Sequence, residues 1–226
     1  MIQETKEQLI RWADKCECAA FIEGDPVQFP HRYDSDRDIE VSAFISAWMA
    51  YGCRKAFLGI SRSACLLNRS SDLEMFLGIL ERLHGMMDAV GGPYMYIVSG
   101  AWRSLDHDAG SCLYRFYKWH DFSLLCERLN ELYSTVKSLE FLFEPGEPLE
   151  QGVSRLCHAF DGVNGIPVEG STSANKRLYM FLRWMVRKGS PVDFGIWTRI
   201  DPSRLLVPVD THVYATAKAV GLTSNL

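Results

Sequence analysis

Lys176 and Asp210, 34 positions apart, are the residues of this chain whose types and spacing could do covalent chemistry. Lys176 opens the basic, amphipathic segment NKRLYMFLRWMVRK, and Asp210 follows the apolar run LLVPV and opens DTHVYATAKAVGL. A primary amine is a nucleophile toward a carbonyl or a sugar C1′. A carboxylate at a helix start stays ionised and is placed to take the amine's proton. The same pair also fits a surface lysine and an ordinary N-cap aspartate, and residue types alone leave both readings open.

The elements that must position the pair are helical. The spacing predicts a helix over 174–188. On a wheel of about 100° per residue, Leu178, Phe181, Leu182 and Met185 share the core face. Lys176, Arg183 and Arg187 fall together on the opposite face as a basic stripe. Lys176 lies in the first turn, where the helix dipole is positive. That field, with Arg177 and Arg183 nearby, is expected to disfavour the ammonium and make the neutral amine more accessible. Asp210 reads as the N-cap of the next helix, expected to be half-buried behind its apolar run.

Helical periodicity continues along the rest of the chain and predicts an all-α protein of eight to ten helices. Residues 4–20 read as a helix with Leu9, Ile10, Ala13 and Ala20 on one side, followed by the loop EGDPVQFPHRYDSD. Asp38 reads as the N-cap of a strongly apolar core helix, with Gly52 marking its end or a kink. Further helices are expected over 72–90, 121–143 and 151–160. PYMYIVSGAW fits a strand, a buried helix or an extended linker. YRFYKW, Tyr114 to Trp119, interleaves aromatics with Arg115 and Lys118 and could stack a base or pack in the core.

Apolar residues make up 47% of the 226, enough for a globular core rather than a disordered chain. No apolar stretch reaches the roughly 20 residues of a membrane span. The charged start MIQETKEQLIRWADK lacks a signal-peptide block, so a cytoplasmic protein without membrane contact is expected. The seven cysteines, an odd number at irregular spacing, predict reduced and mostly buried thiols. No metal site is expected, since the Asp106-His107-Asp108 run places adjacent residues that rarely share one ion. The net charge of −4 hides an asymmetry. Residues 1–170 carry 16 Lys and Arg against 25 Asp and Glu, whereas residues 171–226 carry 8 against 3. The basic C-terminal part allows a local phosphate-binding surface, and chance clustering on a solvated helix face accounts for it equally.

VPVDTHVYATAKAVGL resembles the segment of helix-hairpin-helix DNA glycosylases in which proline and an apolar residue precede an essential aspartate. AFISAWMAYGCRK, residues 43–55, is similar to an early core helix of that superfamily. Asp25, Pro26, Pro30, His31 and Arg32, with KRLYMFLRWMVRK and VDFGIW, resemble an uncharacterised bacterial family distantly similar to archaeal 8-oxoguanine glycosylases. The chain departs from the superfamily pattern in several features, among them a longer interval between Lys176 and Asp210, where GSPVDFGIWTRIDPSRL intervenes. EGSTSANK stands where the glycine-rich hairpin would anchor a phosphate, and Trp48 stands where a wedge glutamine is found.

The resemblance implies a two-lobed helical fold with a cleft between lobes of about 38–160 and 1–37 plus 161–226. It implies Lys176 as the Schiff-base nucleophile and Asp210 as its acid–base partner. Double-stranded DNA with a damaged base, with an oxidised purine as one candidate, is the implied partner, and no metal or organic cofactor is needed. DNA contacts are expected from Arg177, Arg183, Arg187, Ser171, Ser173, His31 and Arg32. A base pocket is expected around Trp48, Arg115 and Phe116. Two other functions fit the same residues: a non-catalytic nucleic-acid-binding protein on this scaffold, and a small-molecule enzyme using a lysine Schiff base.

Overall fold

The structure is a computed structural model and describes residues 3–50, 69–168, 170–171 and 173–223. Gly52, Thr172 and the second half of the apolar run after Asp38 lie outside the described residues. The described residues are mostly helical, as the periodicity predicts. They form α1 (Gln3–Cys16), α2 (Asp36–Met49), α3 (Arg69–Asp88), α4 (Pro93–Val98), α5 (Trp119–Thr135), α6 (Leu149–Ala159), α7 (Lys176–Val186) and α8 (Thr211–Ala219). The proline-containing loop before α2 is tightened by single 3-10 turns at Pro26–Gln28 and Pro30–Arg32. No described helix is long and apolar enough to cross a membrane.

α2 is the central element. Every residue from Ile39 to Met49 is buried, which matches the nearly unbroken apolar sequence. It packs against α4, α7 and the 3-10 turns before it. Asp38 does not cap this helix. The N-cap is Ser35, and the Asp38 carboxylate instead accepts the Tyr94 N–H at 2.9 Å, in the first turn of α4. The chain reaches α4 through Gly91 and Gly92 at φ of +100° and +113°, and a Cβ on Gly92 would lie 2.8 Å from Asp38 Oδ1. Only glycine fits that turn. PYMYIV is therefore a short helix, with Pro93 at its first position, where a missing N–H costs nothing.

The aromatic segment holds the one β-structure among the described residues. Strands β1 (Cys112–Tyr114) and β2 (Tyr117–Lys118) pair antiparallel across a two-residue loop, with Arg115 at φ +53°. Tyr114 and Tyr117 point into the core while Phe116, at the tip, is 43% exposed. α5 starts directly after β2, where the Asp121 carboxylate accepts the Lys118 N–H at 2.7 Å.

One continuous cluster of buried side chains runs from Val27 to Ile200. α7 joins it with the face that the wheel predicts: Leu178, Phe181, Leu182 and Met185 are all buried. The Phe181 ring meets Phe44 of α2 edge-on at 5.2 Å and Trp197 at 5.4 Å. Removing the ring of a residue so enclosed costs about 3–5 kcal/mol. Of the five described cysteines, all free, Cys126 and Cys157 are buried. Cys16 and Cys112 are exposed, against the expectation of mostly buried thiols.

The core also holds polar groups with defined partners. Glu40 accepts hydrogen bonds from Tyr133 Oη (2.7 Å), Ser138 Oγ (2.5 Å), Leu139 N (2.9 Å) and Trp197 Nε1 (2.6 Å). Burial raises its pKa, against the opposing effect of those four donors. His84, stacked on Phe29, bonds to Ser42 Oγ and the Leu80 carbonyl. Burial pushes its pKa down to about 4.

Candidate functional site

The two ends of the candidate pair meet. Lys176 Nζ lies 2.5 Å from Asp210 Oδ2, joining the first turn of α7 to the start of α8. The contact is open to solvent, with the side chains 40% and 31% exposed. Asp210 is the N-cap that its sequence position predicts. Its Oδ1 accepts the N–H groups of His212 (2.9 Å) and Val213 (2.8 Å). Burial acts to raise the Asp210 pKa. The Lys176 hydrogen bond and the two backbone N–H groups outweigh it and hold the carboxyl below its ordinary value. An ionised carboxylate against a solvent-reached amine can take up an ammonium proton or steady positive charge developing nearby.

Asp210 is partly buried, as its position predicts, although part of the apolar run before it stays exposed. Leu206 and Val207 are 42% and 68% exposed, and α8 has no buried residue. What fixes the amine lies on the other side, in α7 and its approach. Asn175, the N-cap of α7, adopts a left-handed conformation (φ +47°) and makes no side-chain cap bond. Asparagine tolerates that region better than most residues. Ser171 Oγ accepts the Ser173 N–H and Ser173 Oγ accepts the Asn175 N–H, so both hydroxyls shape the turn into the helix.

The basic stripe exists as a line of residues but not as a line of uncompensated charge. Arg183 and Arg187 both reach Asp193, whose side chain is fully enclosed. Arg187 also meets Glu17 at 2.5 Å, and Ser190 Oγ donates to the same glutamate. Arg187 lies just past the helix end, with extended backbone. Arg177 turns away from Lys176 toward the core and donates to the carbonyls of Trp48 and Gly165 and to the Tyr117 hydroxyl. The two arginines expected to crowd the Lys176 ammonium, Arg177 and Arg183, are therefore engaged elsewhere.

The remaining candidates are dispersed. Trp48 is a core residue, 3% exposed, whose indole N–H donates to the Asn164 carbonyl at 2.8 Å. It offers no open face to a base. His31 bonds the Val192 carbonyl and packs at a tilt against the Phe194 ring, and Arg32 makes a two-point pair with Glu81. Arg115 pairs with Asp72 at 3.6 Å, while Phe116 beside it packs at a tilt against the Tyr117 ring.

Sequence reasoning missed Asp193 and the surroundings of Arg177. The GSP turn after Arg187 was a usable signal for the first, since an acid just beyond a tight turn folds back onto the preceding basic helix end. The acceptors of Arg177 are mostly backbone carbonyls, which no residue pattern reveals.

The chain matches the family model described as "Protein of unknown function (DUF2400)" over residues 25–77 and 72–226, and it belongs to that family. No curated protein and no solved structure matches it.

Proposed function

We propose that this member of the DUF2400 family is a DNA base-excision enzyme, a glycosylase and abasic-site lyase, with Lys176 as nucleophile and Asp210 as its proton acceptor. The observation that carries the reading is the 2.5 Å contact between a solvent-reached amine and an N-cap carboxylate from a distant element. In the reaction, Lys176 passes a proton to Asp210, and its lone pair bonds to C1′ of a flipped nucleotide. The C1′–N bond to the damaged base breaks, and the base leaves with that electron pair and takes a proton. Sugar-ring opening gives a Schiff base. Loss of a C2′ proton then expels the 3′ phosphate, and water releases the lysine. Lobes of about 38–160 and 1–37 plus 161–226 would meet along α2 and α7, with the cleft at the α7 start.

Phe116, exposed at the hairpin tip, is the base-stacking candidate that remains presented to solvent. Ser171 and Ser173 are exposed beside the reactive helix and suit phosphate contact. The internal ion pairs of Arg183 and Arg187 favour a second reading, a Schiff-base enzyme for a small carbonyl compound, because they leave fewer cations for a phosphate backbone.

Borohydride reduction of the protein mixed with duplexes carrying oxidised bases or abasic sites separates the readings. Trapping on DNA that is lost in Lys176→Ala supports the repair enzyme. Salt-dependent DNA binding without trapping identifies a non-catalytic binder. Trapping only by small carbonyl compounds identifies the second reading.

A further inference from the structure

We infer that Arg177 is the positioning residue of the site: it fixes the amine of Lys176 by locking the first turn of α7 onto the C-terminal end of α2. This inference rests on the functional reading above and adds the residue on which the geometry of the amine depends.

The start of α7 has no side-chain cap, and its N-cap Asn175 is in a left-handed conformation. Such an end frays unless something outside the helix holds it. Arg177 supplies the hold. It follows Lys176 by one position, about 100° around the helix, so it can be anchored without touching the amine. Its Nη1 donates to the Trp48 carbonyl at 2.8 Å and to the Tyr117 hydroxyl, and its Nη2 donates to the Gly165 carbonyl. The acceptors belong to three elements: the last turn of α2, strand β2 and the loop that leads toward α7.

Each acceptor is itself held. Trp48 is in the last turn of α2, where carbonyls lack an intrahelical partner and the dipole is negative. The Tyr117 hydroxyl also donates to that carbonyl, at 2.9 Å, which leaves its lone pairs for Arg177. The Trp48 indole fixes the same loop through Asn164, and the Trp48 and Tyr117 rings pack at 4.5 Å. Gly165 has φ +84°, and a Cβ there would stand 2.4 Å from the Tyr117 hydroxyl oxygen. The loop approaches the clamp so closely that only glycine fits. A planar guanidinium reaches three acceptors in fixed directions, which a lysine ammonium on a flexible stem cannot reproduce.

The test uses Arg177→Ala, Arg177→Lys and Tyr117→Phe in the full chain. On a duplex that wild type cleaves, Arg177→Ala should slow single-turnover trapping about 100-fold, the loss typical of a reactive group displaced by about 1 Å. The half-saturating DNA concentration should stay within about twofold, since the lost interaction acts after binding. Added guanidinium ion should restore at least about tenfold of the rate in Arg177→Ala and none in Arg177→Lys, whose side chain fills the space. Tyr117→Phe keeps the ring packing and should show a smaller slowing, so it carries the test if Arg177→Ala does not fold. A loss expressed only as weaker DNA binding would make Arg177 a phosphate contact and overturn the inference, as would wild-type rates in folded variants.

If wild type traps no substrate, the functional reading fails and the positioning claim is still read. Amine-reactive labelling followed by mass spectrometry should then show Lys176 modified faster in Arg177→Ala and Tyr117→Phe, approaching Asp210→Ala. Unchanged Lys176 labelling in both folded variants overturns the clamp.

Discussion

Two carboxylates of this molecule are each saturated by donors from distant residues, and they serve opposite ends. Glu40 accepts four hydrogen bonds in the core, none from a cation. Asp210 accepts three at the surface, one of them from the Lys176 ammonium. Burial dominates at Glu40 and raises its pKa, whereas the hydrogen bonds dominate at Asp210 and lower it. The difference is one of surroundings, not of donor number. Where water is excluded, a carboxyl ties helices together. Where water enters, a similar set of bonds leaves a charged group beside the amine proposed as the nucleophile.

Breaking the two carboxylates separately should expose that difference. Glu40→Ala orphans three buried donors and a half-buried one and should cost about 3–5 kcal/mol in denaturant unfolding. Asp210→Ala removes a helix cap and a half-exposed ion pair and should cost about 1 kcal/mol. Equal losses would erase the distinction between the two regions.

Acid should affect the two regions differently as well. The folded-state pKa of His84, about 4, lies below its ordinary value of 6.5, so the unfolded chain binds more protons between those pH values. The stability that neutral His84 permits is complete above pH 6.5 and is lost as pH falls toward 4, about 3 kcal/mol in all. Asp210 follows the same sign in a lower window: its contribution is present above 3.8 and is lost as pH falls through its depressed folded value. Glu40 runs the other way, since its folded pKa is raised and its contribution weakens as pH rises above 4.5. Urea titrations at stepped pH should show His84→Gln removing the loss of stability between pH 6.5 and 4 and leaving the opposite dependence of Glu40. A dependence unchanged by that substitution would exclude His84 as its source.

The smallest stability effect belongs to the residue with the largest proposed role. Lys176→Ala removes one exposed ion pair and should change stability by less than about 1 kcal/mol. A larger loss would mark the lysine as structural.

Local patterns exposed the frame and half of the site. The run after Asp38 reads as a helix buried all round because it is apolar all round. The 3.6-residue period of α7 identifies its core face because that face is amphipathic. Asp210 is legible as a cap because capping is decided within three residues. The hairpin at 112–118 escaped because its strands are two and three residues long and its left-handed turn residue is Arg115, not glycine or asparagine. The stripe of Arg183 and Arg187 was legible but not its neutralisation, which depends on a loop folding back to bring Asp193 beneath both. Glu40 was invisible for the same reason, since its partners lie 93 to 157 positions away.

The central claim, that Lys176 is a nucleophile held ready by Asp210, is tested most directly by borohydride trapping on a duplex with an abasic site. Wild type should give a covalent protein–DNA adduct, Asp210→Asn a strongly slowed one, and Lys176→Ala none. An adduct of undiminished yield in folded Lys176→Ala, or no wild-type adduct on any abasic or oxidised-base duplex, would contradict the account.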